Sequence, residues 1–147
     1  MKKKIILFID DELYPDLKDP DNNYMWYYKD ALLEEDYKLI EATGTDEALA
    51  LLKKHADIDL IILDIMMPPG KVFEQVDTME GLRTGVNLAD VLNKKYPKIP
   101  ILVLTNLQPG TISNRLSYRN VKTIAYKEDC LPYEEFVDDV SEILKRN

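Results

Sequence analysis

Three short runs of unbroken apolar residues punctuate the chain: Ile5-Ile6-Leu7-Phe8-Ile9, Leu60-Ile61-Ile62-Leu63 and Ile101-Leu102-Val103-Leu104. They have the length of strands and do not alternate with polar residues. Such runs fit strands covered on both faces, as in a parallel sheet. Tyr37 to Ala42 and Thr123 to Tyr126 are more alternating and suit the edges of the same sheet. Between these runs the period changes to that of helices. Residues 30–35 continue a helix that Asn22 or Asn23 can cap, and Thr45 can cap a second, with Asp46 and Glu47 in its first turn and Ala48, Leu49 and Leu52 inward. A third runs from about Val86 to Tyr96 and stops at Pro97; a fourth, over about 111–119, has only Ile112 and Leu116 as an apolar side. The last has Pro132 near its first turn and carries Phe136, Val137, Val140, Ile143 and Leu144 on one face. The order is β then α, five times over. It predicts an α/β fold, a doubly wound five-stranded parallel sheet with helices on both faces.

Sites in such sheets lie at the carboxyl ends of the strands. The first predicted strand runs out into Asp10-Asp11, the third into Asp64, the fourth into Thr105 and the fifth into Lys127. A parallel arrangement carries all of these to one edge. Carboxylates converging there repel one another unless a cation lies among them, and an all-oxygen site without His or Cys favours Mg²⁺ or a similarly hard ion. A carboxylate nucleophile beside such an ion, with one hydroxyl and one ammonium, is suited to phosphoryl transfer, which rests mostly on positioning and charge. Taken singly, an aspartate at a strand end is a turn residue or a helix cap. Jointly, every required group falls at the exit of a different strand. Two loops leave that same edge, residues 12–23 and 65–85, and both exceed the roughly 2–6 residues usual for such turns. They border the site as a lid, a partner surface or a neutral insertion.

Composition narrows the function. The chain has 147 residues, enough for one domain with a real core, and a formal charge of −8. Its only compact basic run is Lys2-Lys3-Lys4, so direct DNA binding is not expected. A single cysteine, Cys130, excludes an internal disulfide. With no signal peptide and no apolar stretch of spanning length, a cytoplasmic protein is the expectation. The one histidine, His55, falls at the end of the second helix, a solvated position. Tyr24, Trp26, Tyr27 and Tyr28 form an aromatic cluster whose first reading is packing of the first long loop. Gly81 to Gly85 is a flexible-looking lead into the third helix and does not follow a strand directly, so it is no phosphate loop.

The segments Phe8-Ile9-Asp10-Asp11-Glu12, Leu63-Asp64-Ile65-Met66-Met67-Pro68, Val103-Leu104-Thr105 and Tyr126-Lys127 resemble the signature of response-regulator receiver domains, over about residues 3–145. The resemblance implies a flavodoxin-like (βα)5 fold with strand order 2-1-3-4-5. It implies Asp64 as phosphoacceptor, Asp11 as a direct Mg²⁺ ligand, Asp10 as a ligand through water and the Met66 carbonyl as another. Thr105 and Lys127 would hold the phosphoryl group and report it. The donor would be a sensor histidine kinase or a histidine phosphotransfer protein. Residues 1–147 read as one receiver domain with no output domain, signalling by phosphorylation-dependent protein binding. Enzymatic action would be confined to its own phosphorylation and dephosphorylation. The departures are Asn106, where a small residue is usual, Ile124 in place of the switch aromatic, and Glu128 where proline is common. They keep a second reading open, a pseudoreceiver that binds partners with weak or no phosphorylation. A Mg²⁺-dependent phosphohydrolase is disfavoured, because such families place an acid two residues after the nucleophile and this chain has Met66.

Overall fold

A computed structural model describes residues 2–13, 25–76, 81, 83–107, 115–127 and 133–146. The strands are β1 (Ile5–Ile9), β2 (Lys38–Ala42), β3 (Leu60–Leu63), β4 (Ile101–Thr105) and β5 (Val121–Tyr126). They form one sheet, all parallel, in the order β2-β1-β3-β4-β5. The helices among the described residues are α1 (Met25–Glu34), α2 (Thr45–Lys54), α3 (Thr84–Lys95) and α4 (Glu134–Arg146).

The unbroken runs have the meaning their pattern implies. Every residue of β1, β3 and β4 is buried, whereas β2 and β5, at the edges, are only partly covered. The alternation of the pleat sends side chains to two separate cores. Ile5, Leu7 and Ile9 join Ala48 and Leu52 of α2 and Leu88, Ala89 and Leu92 of α3 on one face. Ile6 and Phe8 join Tyr28 and Leu32 of α1 and Phe136, Val140 and Leu144 of α4 on the other. Burying an aliphatic side chain stabilises by roughly 1.5–3 kcal/mol, so both faces of the sheet contribute to holding it.

Two expectations need adjustment, and others fall outside the described residues. Thr45 does not cap α2. Gly44 occupies the cap position in extended backbone without a side-chain cap bond, and Thr45 is the first helical residue, its hydroxyl buried without a hydrogen-bond partner among the described residues. The predicted fourth helix lies largely outside the described residues; the part within them, 115–119, is irregular apart from one 3-10 position at Arg115. The first-helix caps at Asn22 and Asn23, with Tyr24, Cys130 and Pro132, also fall outside the described residues. His55 ends α2 as its C-cap, its backbone N–H donating to the Leu51 carbonyl.

Candidate functional site

The register of the sheet assembles the site. Ile9 of β1 lies opposite Leu63 of β3, and the Asp64 amide donates to the Ile9 carbonyl at 3.0 Å, so Asp10 and Asp64 leave adjacent strands side by side. Carboxylate oxygens of Asp10, Asp11 and Asp64 all lie within 4.8 Å of one another. On the other side of β3, Thr105 ends β4 opposite Tyr126 of β5, one residue short of Lys127. Lys127 reaches back across the edge, its Nζ 3.0 Å from Asp10 Oδ2, in an ion pair whose side chains are 4% and 0% exposed. Asp10, Asp64, Thr105 and Lys127 are all buried, while Asp11 is half-buried at the rim. Met66 follows two residues after Asp64 with its side chain exposed.

Local hydrogen bonds fix each group. The Glu12 amide donates to Asp10 Oδ1 at 2.9 Å and the Ile65 amide to Asp64 Oδ1 at 2.9 Å. The Leu107 amide donates to Thr105 Oγ1 at 3.1 Å, which orients the hydroxyl and leaves its proton to donate. Burial pushes Asp64 up to about 8, with the neighbouring Asp10 and Asp11 carboxylates adding to it and Lys127 opposing. Asp10 and Asp11 are raised too, first by burial. Carboxylates this close repel one another, and a positive charge among them relieves the repulsion. The donor set fits Mg²⁺: carboxylate oxygens only, converging from two strands, with no His or Cys among them.

Several residues that shape this edge carry no motif. Gly85, read from sequence as part of a flexible lead, is pressed against the backbone of Asp64 and Ile65. Its amide donates to the Ile65 carbonyl at 2.9 Å, and a Cβ there would stand 2.4 Å from the Asp64 carbonyl oxygen. Only glycine lets α3 approach so closely. The loop after β3 is closed at its neck, where the Met67 amide donates to the Gly81 carbonyl at 3.1 Å. Its outer turn is tied to α2: Asp46 accepts from the Lys71 and Val72 amides at 2.8 and 3.1 Å. Those two bonds hold the Asp46 carboxyl below the usual range. Tyr28 of α1, buried, donates its hydroxyl to the Lys127 carbonyl at 3.0 Å. Within the aromatic cluster, Tyr27 is stacked on Tyr133 and Tyr28 is edge-on to Tyr133 and Phe136; the loop whose packing the sequence suggested lies outside the described residues. The flexible-looking lead from Gly81 to Gly85 was the one sequence signal for Gly85; Asp46 and Tyr28 act across long sequence separations that no local pattern marks.

No protein-family model and no curated protein matches the chain. Solved structures do. A CheY-like response regulator receiver domain protein from Methanospirillum hungatei superposes with a TM-score of 0.73 at 20% identity, over 99% of this chain and 96% of that one. Its fold is that of response-regulator receiver domains. A two-component response regulator from Clostridium difficile gives 0.71 at 22% identity over 98% of each chain. The response regulator TrrA from Thermotoga maritima, solved in complex with Mg²⁺ and BeF, gives 0.67 at 26% identity, over 95% of this chain and 98% of that one. The receiver fold puts the exits of β1, β3, β4 and β5 on one edge, where Asp10, Asp11, Asp64, Thr105 and Lys127 stand. Among the described residues no helix is long and apolar enough to cross a membrane.

Proposed function

We propose that the chain is a phosphoacceptor receiver of a two-component system, taking a phosphoryl group onto Asp64 from a phosphohistidine of a sensor kinase or phosphotransfer protein. The observation that carries this is the meeting of the Asp10, Asp11 and Asp64 carboxylates with the buried Lys127 ammonium at one sheet edge. Asp10, Asp11 and Asp64 would hold Mg²⁺, with the Met66 carbonyl as a further ligand. Bound there, the ion would offset the negative charge of an incoming phosphoryl group. The rest follows from the chain's own groups. An Asp64 carboxylate oxygen forms the new O–P bond as the donor's N–P bond breaks and the imidazole leaves with its electron pair. The Lys127 ammonium and the Thr105 hydroxyl each bind a non-bridging oxygen, a purely electrostatic aid. Water later attacks the acyl phosphate and returns Asp64. No turnover of an outside substrate is proposed, and the phosphorylated domain signals by binding another protein.

Intact-protein mass after treatment with acetyl phosphate and Mg²⁺ tests this reading. A phosphoryl adduct that needs Mg²⁺ and is missing from Asp64→Ala is the expected result. The pseudoreceiver reading draws on Ile124, which is packed against the α2–α3 core where a switch ring is usual. A folded protein that takes no phosphoryl group from acetyl phosphate or from a histidine-kinase donor would establish that reading instead.

A further inference from the structure

Ile124 stands in the fifth strand where a switch ring is usual, and a buried ring of another element, Tyr28 of α1, contacts the main chain of Lys127. Tyr28 is 1% exposed, and its hydroxyl is hydrogen-bonded to the Lys127 carbonyl across 99 residues of chain. Its ring meets Tyr133 edge-on at 4.8 Å and Phe136 edge-on at 5.1 Å, at the start of α4. Tyr133 in turn stacks on Tyr27 at 5.6 Å, and Tyr27 meets Trp26 edge-on at 5.2 Å. Unlike the buried Tyr28, Tyr27 is 38% exposed, and with Tyr133 it lines a groove of about 500 Å³ between α1 and α4. The contacts are continuous from the acidic edge to that surface: Asp10 to Lys127 through the ion pair, Lys127 to Tyr28 through the main chain, then ring to ring.

We propose that Tyr28 is a positioning residue for Lys127 and the coupling ring of this receiver, carrying the state of Asp64 to the α1–α4 face. The inference rests on the phosphoacceptor reading above. In the resting site Lys127 is held by Asp10. A phosphoryl group on Asp64 offers the ammonium a second, more highly charged partner, and the lysine must turn from one to the other. The hydroxyl of Tyr28 ties the lysine's backbone to α1, so any movement of the Lys127 main chain that accompanies the turn is shared with α1. Edge-to-face rings at these separations have directional contact energies, so a small movement of the Tyr28 ring re-sets Tyr133 and the Tyr27 stack. The deciding feature is that Tyr28 contacts both the catalytic lysine and the rings that reach the surface.

The chain supplies its own probe, because Trp26 is its single tryptophan and touches Tyr27. Trp26 emission is recorded while Mg²⁺ and beryllofluoride are added, with 19F NMR on the same samples to count bound fluoroberyllate. The parent should bind it and change its emission. Tyr28→Phe, which keeps the ring and deletes only the hydroxyl, should bind it, lose the emission change and accept a phosphoryl group from acetyl phosphate roughly threefold to tenfold more slowly, the scale of one buried hydrogen bond. Tyr133→Leu, which keeps the Tyr28–Lys127 bond and breaks the ring path, should lose the emission change at an unaltered rate. An emission change of parental size in Tyr28→Phe overturns the inference, as does a parent that binds fluoroberyllate while Trp26 stays silent. Absence of any bound fluoroberyllate in the parent instead overturns the phosphoacceptor reading on which it stands.

Discussion

Asp64 is held at about 8 rather than 3.8 by burial first and by Asp10 and Asp11 after it, with Lys127 opposing. The folded chain therefore binds this proton more tightly than the unfolded chain does. The stabilisation from that proton is complete below 3.8 and is lost as pH rises toward and through about 8. Replacing Asp64 by Asn removes the ionisation and keeps the shape. Without divalent metal, Asp64→Asn should match the parent near pH 4 and exceed it at pH 8.5 by at least about 1.4 kcal/mol, the equivalent of one pKa unit. Denaturant melts of both proteins at several pH values measure the difference, in which the titration of acids remote from the site cancels. A difference that stays flat with pH would mean that Asp64 is ionised at little cost. At this scale the sequence was informative about identity and silent about partners. Asp10, Asp64, Thr105 and Lys127 were legible because each is the first polar residue after an apolar run. Tyr28 and Gly85 were not, because a tyrosine on a helix reads as core and a glycine before a helix reads as slack until the partner atoms are placed.

Strands and most helices could be read from periodicity because burial enforces it: β1, β3 and β4 are covered on both faces, and α4 repeats its apolar residues over its whole length. The loop after β3 obeys no period, and its order comes from another element. Gly70 has φ +69° and lies so near Asp46 that a Cβ would stand 2.8 Å from Oδ2, which lets the next two amides reach the carboxylate. An aspartate in the first turn of α2 was legible as a favourable charge at a helix N-terminus, and the tie to a loop 25 residues away was not. Asp46→Ala should free the outer turn while leaving the sheet intact. Amide hydrogen exchange at Lys71 and Val72 should quicken by roughly fivefold to tenfold, with Asp46→Asn, which keeps one acceptor oxygen, in between. Exchange in β3 and β4 should be unchanged. Equal exchange at Lys71 and Val72 in parent and variant would show that the neck at Met67 and Gly81 orders the loop unaided.

Across the whole molecule, the site joins parts of the chain that meet only when the sheet is complete. Asp10 and Asp11 come from the exit of β1 and Asp64 from that of β3, while Lys127 from β5 at the far edge is paired with Asp10 and tied to α1 through Tyr28. The unfolded chain offers Asp10 and Asp11 as neighbours but cannot hold Asp64 beside them. A cation bound by all three is therefore bound by the folded state alone, and its binding free energy adds to the stability of the entire doubly wound sheet. If these residues hold Mg²⁺ as proposed, the unfolding free energy should rise with the logarithm of Mg²⁺ concentration above its Kd, by about 2.7 kcal/mol at a hundred times Kd. Thermal melts against Mg²⁺ measure it, with NaCl matched for ionic strength because a chain of charge −8 gains some stability from any screening salt. Asp11→Asn should abolish the specific increment, since Asp11 stands at the rim without the Lys127 partner that Asp10 has. Asp46→Asn, an equal loss of charge elsewhere on the surface, should retain it. The two variants separate a built cation site from general relief of negative charge: similar Mg²⁺ responses in both would leave the acidic edge with screening alone.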